Sequence, residues 1–528
     1  MSALPEWQRK NLSQPLLPFF RFQFVAYKAL DSFSSADPFE EMQRAAGAIA
    51  SIIRAQQRIK IITHIDADGI TSASIVAKML ERAGIKYDVE FVKQLDPCII
   101  EKIGGDGATG WDGGAGNFTI FTDLGSGLGD LIDGKTKNYA IADHHTVVAA
   151  RARLPNELNP HFFGIDGATD ISGAGVAYLI AKAFDAENAD LSALAIVGAV
   201  GDMQDLNGCA LRGANRRILE DAVNAGVVLA STDIRFFGRE TRPIYKMLQF
   251  SDDPIIPGVT GREKPAIDLL TGAGVELKGE GREWRRWIDL TEPEKRSICS
   301  AIVRKLLSTG FGHKTAKRLI GEVYTLLKEE KGTPLHDAKE FATVLNATAR
   351  HGKGDVGLNV CLGDREEWLK KAGSLLANHR SDLKSGIELI KGQIVQRRYL
   401  QHFHAQDGIM DTLVGIVAGM ALNSEYADRK KPIIAFANKD ENTVKVSSRA
   451  SKELIDAGLN LATVLKECAA KLGGVGGGHP QAAGATIPKG KEEVFLDDVE
   501  MEIEKQIGGM SLRSGRARDA ERPEVAQA

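Results

Sequence analysis

Cysteine is scarce in this sequence of 528 residues. The five cysteines are scattered, and none of them forms a C-x-x-C pair; they are Cys98, Cys209, Cys299, Cys361 and Cys468. An odd, dispersed set of this kind is typical of reduced thiols and not of a disulfide framework. We therefore expect a cytoplasmic protein.

The sequence also lacks a long apolar run and an excess of positive charge. No apolar stretch approaches the ~18 residues that a membrane span needs, and residues Met1 to Arg21 show no signal-peptide pattern. We expect no membrane partner. The net charge is −3 and the pI is near 6.5, so any nucleic acid would have to bind in a local basic groove.

A chain of this length is too long for one ordinary core and predicts several domains. We predict an α/β protein in five segments: a helical N-terminal extension over 1–57, a parallel-sheet domain over 58–232, a helical interposed region over 233–385, a smaller mixed α/β domain over 386–508 and a disordered tail over 509–528. A glycine-rich surface loop is expected at 104–116, between the second and third strands.

In the parallel-sheet domain, strands and helices alternate, which is typical of a sheet covered on both faces. The predicted strands are 59–65, 87–92, 118–123 and 138–142, and the predicted helices are 70–83, 126–133, 172–184 and 191–200. Further helices are predicted at 39–57, 291–309, 313–329, 337–350 and 364–379. The C-terminal domain is expected to begin with a strand from Ile387 to Val395, and Gly473 to Gly478 is expected to form a glycine-rich loop.

A short polar stretch follows the first strand of this domain. It contains His64, Asp66 and Asp68, followed by Gly69. Alternate side chains of an extended segment point the same way, so the three could converge on one metal ion. Histidine with carboxylates suits Mn²⁺, Mg²⁺, Fe²⁺ or Zn²⁺. The alternative is a simple strand-to-helix turn with an aspartate at the helix cap.

More residues of the metal-ligand type follow later strands and a helix. Asp123 ends the third strand, Asp143-His144-His145 ends the fourth, and Asp202 follows a helical stretch. Ligands of parallel sheets collect at the carboxyl ends of the strands, so these residues are expected at one edge with the first group. Asp205 is assigned a loop or capping role.

The order of these motifs resembles the DHH phosphoesterase family, which is named for the triplet that is Asp143-His144-His145 here. A second resemblance, to the DHHA1 domain, lies in Val446-Ser447-Ser448-Arg449 and in the stretch from Gly476 to Gly484. Within the family the sequence is most similar to archaeal RecJ-like nucleases, including the GINS-associated nuclease branch. The stretches that carry this likeness are 196–204, 236–243, 345–348 and 411–416.

The resemblance implies a site with two divalent metal ions, Mn²⁺ first and Mg²⁺ as an alternative. Asp123 would bridge the ions, His64 and Asp66 would hold one of them, and Asp68, His144 and Asp202 would mainly serve the other. Asp143 would orient a histidine, and His145 would face the scissile phosphate or the leaving oxygen; alternatively, His145 is a packed residue with one hydrogen bond. The substrate phosphate would be held by Arg449, Gly476, Gly477, Gly478 and His479.

The resulting hypothesis is a two-metal exonuclease acting on single-stranded DNA, or RNA, in DNA replication or repair. Its partners would be single-stranded nucleic acid and, through the family resemblance, GINS and the MCM helicase. Three alternatives remain open: a replisome scaffold with secondary nuclease activity, an oligoribonucleotide or cyclic-dinucleotide phosphodiesterase, and a pyrophosphatase. The long interposed region favours a polymeric substrate over a small one.

Overall fold

The structure of the protein is a computed structural model. It describes residues 37–102, 118–147, 151–251, 253–309, 312–424 and 426–518. The glycine-rich loop predicted at 104–116, most of the N-terminal extension and residues 519–528 of the predicted tail lie outside the described residues.

The N-terminal part contains a five-stranded sheet in which all paired strands are parallel. Its strands are β1 (Arg58–His64), β2 (Lys86–Val92), β3 (Phe118–Thr122), β4 (Tyr139–Ala142) and β5 (Glu157–Leu158), in the order β2-β1-β3-β4-β5. The accompanying helices are α1 (Pro38–Arg54), α2 (Ala67–Arg82), α3 (Pro97–Lys102), α4 (Gly129–Lys135), α5 (Gly173–Phe184), α6 (Ser192–Gly201) and α7 (Ala214–Asn224). The α/β class and the parallel sheet are as predicted.

The strands are apolar on both faces, which explains why helices cover the sheet on both sides. Ile59 and Ile61 of β1 belong to one buried cluster with α1, α2 and α5, whereas Ile62 belongs to a second cluster with Phe121 and Ile141. Alternate residues of a strand face opposite sides, so adjacent isoleucines enter different cores. Burial on both faces leaves the carboxyl edge as the place where polar side chains can gather.

The interposed region is mainly helical. Its helices are α8 (Ile244–Gln249), α9 (Glu263–Gly272), α10 (Glu292–Ser308), α11 (Gly312–Lys317), α12 (Ala338–Arg350), α13 (Gly354–Leu362) and α14 (Glu367–Ile390). A two-stranded antiparallel ribbon joins β6 (Val228–Ile234) to β7 (Ile320–Leu326). The helix predicted over 313–329 is therefore wrong after Lys317. The apolar and β-branched residues of 320–326 pair with β6 instead of continuing the helix.

The C-terminal part contains a six-stranded mixed sheet. Its strands are β8 (Val395–Gln396), β9 (Gln401–His404), β10 (Ile433–Asn438), β11 (Thr443–Arg449), β12 (Val475–Gly478) and β13 (Ala482–Pro488), in the order β12-β13-β11-β10-β9-β8. Its helices are α15 (Val414–Leu422), α16 (Lys452–Asp456), α17 (Leu461–Lys471) and α18 (Glu492–Arg518). This confirms the smaller mixed α/β domain.

Local predictions in the C-terminal part need three corrections. The strand predicted from Ile387 begins as the end of α14, because Leu383, Ile387 and Ile390 share the helical spacing and pack on the α15 core. The glycine-rich segment before His479 is an edge strand, β12, and not a loop. The last helix, α18, continues to Arg518 and so includes the first ten residues of the predicted tail. Among the described residues, no helix is long and apolar enough to cross a membrane.

Candidate metal centre

The junction of β1 and α2 places three of the predicted ligands. Asp66 caps α2, and its Oδ1 accepts the Gly69 amide hydrogen at 2.9 Å, while Oδ2 lies 2.9 Å from His64 Nδ1. Asp68 is buried in the first turn of α2, where its two oxygens accept the amide hydrogens of Gly173 and Ala174 at 2.7 and 3.0 Å. The cap and the ligand interpretations therefore coexist, because Asp66 uses one oxygen for each.

Asp123 lies between two groups of ligand-type side chains. Its Oδ2 is 3.6 Å from His64 Nδ1, and its Oδ1 is 3.1 Å from Nε2 of His144. The side chain is 2% exposed, and the backbone has a φ of 58°, which an L-residue adopts at a conformational cost. Gly173 passes so close that a Cβ there would lie 2.7 Å from Asp123 Oδ1. The fold thus holds one carboxylate with an oxygen toward each group.

His144 has its tautomer fixed by the backbone. Its Nδ1 is 2.7 Å from the Gly167 carbonyl oxygen, which can only accept, so Nδ1 carries the hydrogen. Nε2 then faces the second group, 3.6 Å from Asp68 Oδ2 and 3.9 Å from Asp202 Oδ2. A neutral ring in this tautomer offers Nε2 as a metal ligand.

Asp143 orients the other histidine of the triplet. Its Oδ1 is 2.8 Å from Nδ1 of His145 and accepts the backbone N–H groups of His144 and His145 at 2.8 and 3.1 Å. Its Oδ2 accepts the Ser126 amide hydrogen at 2.9 Å. Although burial opposes protonation, this carboxylate raises the pKa of His145 to about 9. The His145 side chain is 56% exposed, so its ring is accessible from solvent.

The four carboxylates of Asp66, Asp68, Asp123 and Asp202 create an excess of negative charge. Burial first, and the Asp123 charge second, raise the pKa of Asp68 well above its usual value. Burial is also the main cause that raises the pKa of Asp202 to about 6. Although burial opposes it, the Asp66 and Asp123 carboxylates raise the pKa of His64. The raised pKa values mean that these groups retain protons, which offset part of the negative charge. Divalent cations would neutralise that charge more completely.

Two atoms at the centre test whether metal ions fit. Asp123 Oδ1 and His64 Nδ1 are both buried, and neither has a hydrogen-bond partner of normal geometry within the described part of the chain. Orphaned buried polar atoms are rare unless a ligand satisfies them. The ligand atoms of His64, Asp66 and Asp123 lie within 4.8 Å of one another, as do those of Asp68, His144 and Asp202. Oxygen and imidazole donors in two such groups suit a pair of divalent cations.

Asp205 does not join either group. Its carboxylate pairs with the Arg235 guanidinium at 2.6 Å, and both side chains are largely buried. Asp205 therefore lies in the turn after α6, where it forms a buried ion pair beside the centre.

The predicted phosphate-binding residues meet at one end of the C-terminal sheet. Arg449 is paired with Ala482, and Gly478 with the next residue, Ala483, so Arg449 and the glycine strand end together. His479 is exposed at the turn between β12 and β13. Burial lowers the pKa of Arg449, and the Arg350 charge lowers it further.

Arg350 is a residue that sequence reasoning missed. Burial would raise the pKa of Asp66, but the neighbouring His64 lowers it below its usual value, and the Arg350 charge lowers it further. Arg350 is thus close enough to affect both Asp66 and Arg449, and it is exposed at the end of α12. On the same helix, Asn346 Oδ1 accepts the Ala67 amide hydrogen at 3.1 Å, which ties α12 to the start of α2. The stretch 345–348, directly before Arg350, was the available signal.

Three family models match the chain. They are the N-terminal domain of the DHH family over residues 58–199, the DHH-CID domain over 236–320 and the DHHA1 domain over 398–505. An uncharacterized protein of Methanocaldococcus jannaschii is 30% identical over 475 residues, which are 89% of this chain and 99% of that protein.

Two solved structures share the fold. RecJ of Thermus thermophilus in complex with Mn²⁺ is 17% identical with a TM-score of 0.53, and the match covers 89% of this chain and 56% of the RecJ chain. The chain therefore spans little more than half the length of RecJ. CDC45 of Entamoeba histolytica is 13% identical with a TM-score of 0.57, over 88% of this chain and 98% of that one.

Proposed function

Because the chain belongs to the DHH/DHHA1 family, we propose that it is a metal-dependent phosphodiesterase that removes nucleotides from single-stranded DNA, with single-stranded RNA as a second substrate. The observation that carries this proposal is the position of Asp123, with one oxygen toward His64 and the other toward His144. A carboxylate in that position could bridge two ions, an arrangement that can stabilise both the attacking and the leaving oxygen of in-line phosphodiester hydrolysis.

In this proposal, His64, Asp66 and Asp123 would hold one divalent ion. Asp123 would also help to hold the second ion, together with a group of three further ligands. That group consists of Asp68, His144 and Asp202. Mn²⁺ is the first candidate for both positions and Mg²⁺ the second, because the donors are oxygen and imidazole nitrogen. Two such ions supply a nucleophilic water at neutral pH and offset the charge that develops on the attacking and leaving oxygens.

His145 supplies a proton at the same edge. Asp143 accepts from Nδ1, so Nε2 of the charged ring remains free to donate. The Asp143 carboxylate favours the charged form of the ring, which could donate a proton to a phosphate oxygen or to the leaving oxygen. We assign His145 to this step and Asp143 to holding its ring.

The substrate would lie between the metal centre and the C-terminal sheet. Burial and the Arg350 charge lower the pKa of Arg449, and burial lowers the pKa of Lys445, which the charges of Lys439, Arg350 and Lys93 lower further while Asp411 opposes them. We propose that these cations line a local basic groove in a chain whose net charge is −3. In this groove, Arg449, the β12 glycines and His479 would bind a backbone phosphate.

The proposal is tested by digestion of end-labelled single-stranded DNA, single-stranded RNA and dinucleotides side by side, with Mn²⁺, with Mg²⁺ and with chelator. We expect DNA shortening that needs the metal and is lost in Asp123→Ala and His144→Ala. Asp130→Ala is the matched control, since this carboxylate is 75% exposed and lies outside the centre. Hydrolysis of dinucleotides alone, or full activity in Asp123→Ala, would refute the nuclease proposal.

We further propose GINS and the MCM helicase as partners. The support is the sequence likeness to the GINS-associated branch over the stretches 236–243 and 411–416. A pull-down with purified GINS and MCM should enrich the wild-type chain and the inactive Asp123→Ala variant equally. Equal enrichment would separate assembly from hydrolysis, and no enrichment would count against the partnership.

The five free cysteines agree with the cytoplasmic location that we propose.

A further inference from the structure

A buried glutamine beside the centre connects two of the proposed ligands. We propose that Gln204 is a positioning residue that sets the geometry of Asp202 and His144 together, and that Asn215 holds Gln204 in the orientation this requires. This inference rests on the proposed two-metal site.

The side-chain amide nitrogen of Gln204 lies at the meeting point of three acceptors. Nε2 is 2.9 Å from the Gly167 carbonyl oxygen, 3.1 Å from Asp202 Oδ2 and 3.2 Å from the Ile171 carbonyl oxygen. The Gly167 carbonyl is also the group that accepts from His144 Nδ1. One amide group therefore contacts a ligand carboxylate directly and a ligand imidazole through a shared carbonyl.

The orientation of this amide follows from its neighbours. Gln204 Oε1 accepts from Asn215 Nδ2 at 2.6 Å, and both side chains are almost fully buried. In the flipped orientation, the amide oxygen would face three other oxygens, and its nitrogen would face an N–H donor. Asn215 and the three acceptors together exclude the flipped orientation, so Gln204 donates toward the centre.

Asp202 needs such support because the backbone around it is irregular. The residue follows the last turn of α6, and Met203 after it has a φ of 58°. The Asp202 side chain is 36% exposed, unlike the buried Asp68 and Asp123. Among the described residues, Gln204 is the one that donates a hydrogen bond to its carboxylate. Without this bond, the exposed Asp202 carboxylate, directly after the end of α6, would sample several rotamers.

The same bond network constrains His144. The Gly167 carbonyl stays in place because it accepts from both His144 and Gln204. A shifted carbonyl would release the Nδ1–H tautomer and turn the ring, which would move Nε2 away from the ion. Groups that hold ligands in this way typically contribute 10- to 100-fold to metal affinity.

The test uses Gln204→Glu in the full chain, because glutamate keeps the shape but replaces the donor with an oxygen. Mn²⁺ binding is measured by calorimetry and by electron paramagnetic resonance, separately from activity. We expect one Mn²⁺ site to weaken about 10- to 100-fold while the other keeps its affinity. Asn215→Ala, which frees the amide to turn, should weaken the same site to a smaller degree.

The chain offers a matched control in Gln401. This glutamine is fully buried in the C-terminal sheet. Its side chain makes four hydrogen bonds, two to the carbonyls of Asp428 and Lys431 and one each from the Asp428 amide and the Gln396 side chain. Gln401→Glu should lower the melting temperature but leave both Mn²⁺ affinities unchanged. If Gln204→Glu does not fold, Gln204→Met and Asn215→Ala provide the same comparison.

The outcomes separate this inference from the proposed function. Wild-type Mn²⁺ affinities in both Gln204→Glu and Asn215→Ala would overturn the positioning role while leaving the two-metal site intact. An equal loss in Gln401→Glu would show general destabilisation and would also overturn it. A wild-type chain that binds no Mn²⁺ would overturn the two-metal proposal and this inference with it.

Discussion

Gly173→Ala perturbs the centre without removing any ligand. Gly173 begins α5, and its amide hydrogen is donated to Asp68 Oδ2 at 2.7 Å. A Cβ at this position would lie 2.7 Å from Asp123 Oδ1 and 2.8 Å from Asp123 Cβ. One methyl group thus presses on the proposed bridging carboxylate from the element that also anchors Asp68.

The size of the effect follows from these distances. An ordinary contact between such atoms needs at least 3.4 Å, so Asp123 or α5 must move by roughly 0.7 Å. Asp123 has little room to move, because it is buried and its backbone is in a left-handed conformation. Misplacement of a reacting group by about 1 Å can cost about 100-fold in rate. We therefore expect kcat to fall between 10- and 100-fold, together with weaker Mn²⁺ binding.

The assay is metal-dependent digestion of end-labelled single-stranded DNA together with Mn²⁺ titration. Gly373→Ala is the matched control, since it lies within α14 and its new Cβ would meet nothing within 4 Å. Alanine is the better helix former by about 1 kcal/mol, so this control should be slightly more stable and fully active. A Gly173→Ala protein with wild-type kcat and wild-type Mn²⁺ affinity would refute the steric argument.

Three further predictions concern charge. Arg350→Gln should raise KM for DNA about 10-fold or more, by loss of a charged phosphate contact, and leave calorimetric Mn²⁺ affinity unchanged; a changed Mn²⁺ affinity would contradict this role. Burial raises the pKa of Glu340 to about 7, so the native state retains a proton that the unfolded state releases near pH 4.5, and stability should decrease as pH rises from 4.5 to 7. Glu340→Gln should remove that decrease, about 3 kcal/mol, in denaturant titrations at several pH values, and an unchanged pH profile would refute it. Chelator should lower the melting temperature of the wild type but not of Asp123→Ala, and equal shifts would argue against metal at the centre.

The convergence of the candidate ligands at one sheet edge could be predicted because simple local rules govern it. Strands β1, β3 and β4 are short apolar runs, each followed by a polar residue, and a parallel sheet brings the strand ends to one edge. In the structure, the Asp123 carboxylate lies within 4 Å of both the His64 ring and the His144 ring, as the pattern indicates. The sequence did not show which histidine Asp143 orients, because that depends on the turn after β4.

Other features depend on contacts between distant segments. The segment 320–326 continues the apolar spacing of the predicted helix, but it forms a strand because β6 provides a pairing edge about 90 residues earlier. Arg350 and Gln204 are single polar residues with no repeated pattern around them. Their roles depend on which carboxylate or carbonyl the fold places beside them, such as Asp66 for Arg350 and Gly167 for Gln204. Periodicity carries no information of this kind.

The electrostatics of the centre also bear on the scaffold alternative. A protein that served only as a scaffold would gain stability by replacing Asp68 and Asp123 with apolar residues, since both are almost fully buried and repel each other. The chain instead keeps them, aligns Asp68 on two backbone N–H groups of α5 and holds Asp123 in a strained backbone conformation. Such strain is retained where bound ligands or chemistry compensate for it. Divalent cations at the proposed centre would compensate by neutralising the carboxylates, and the proposed hydrolysis would account for the arrangement whether or not the chain also binds replication partners.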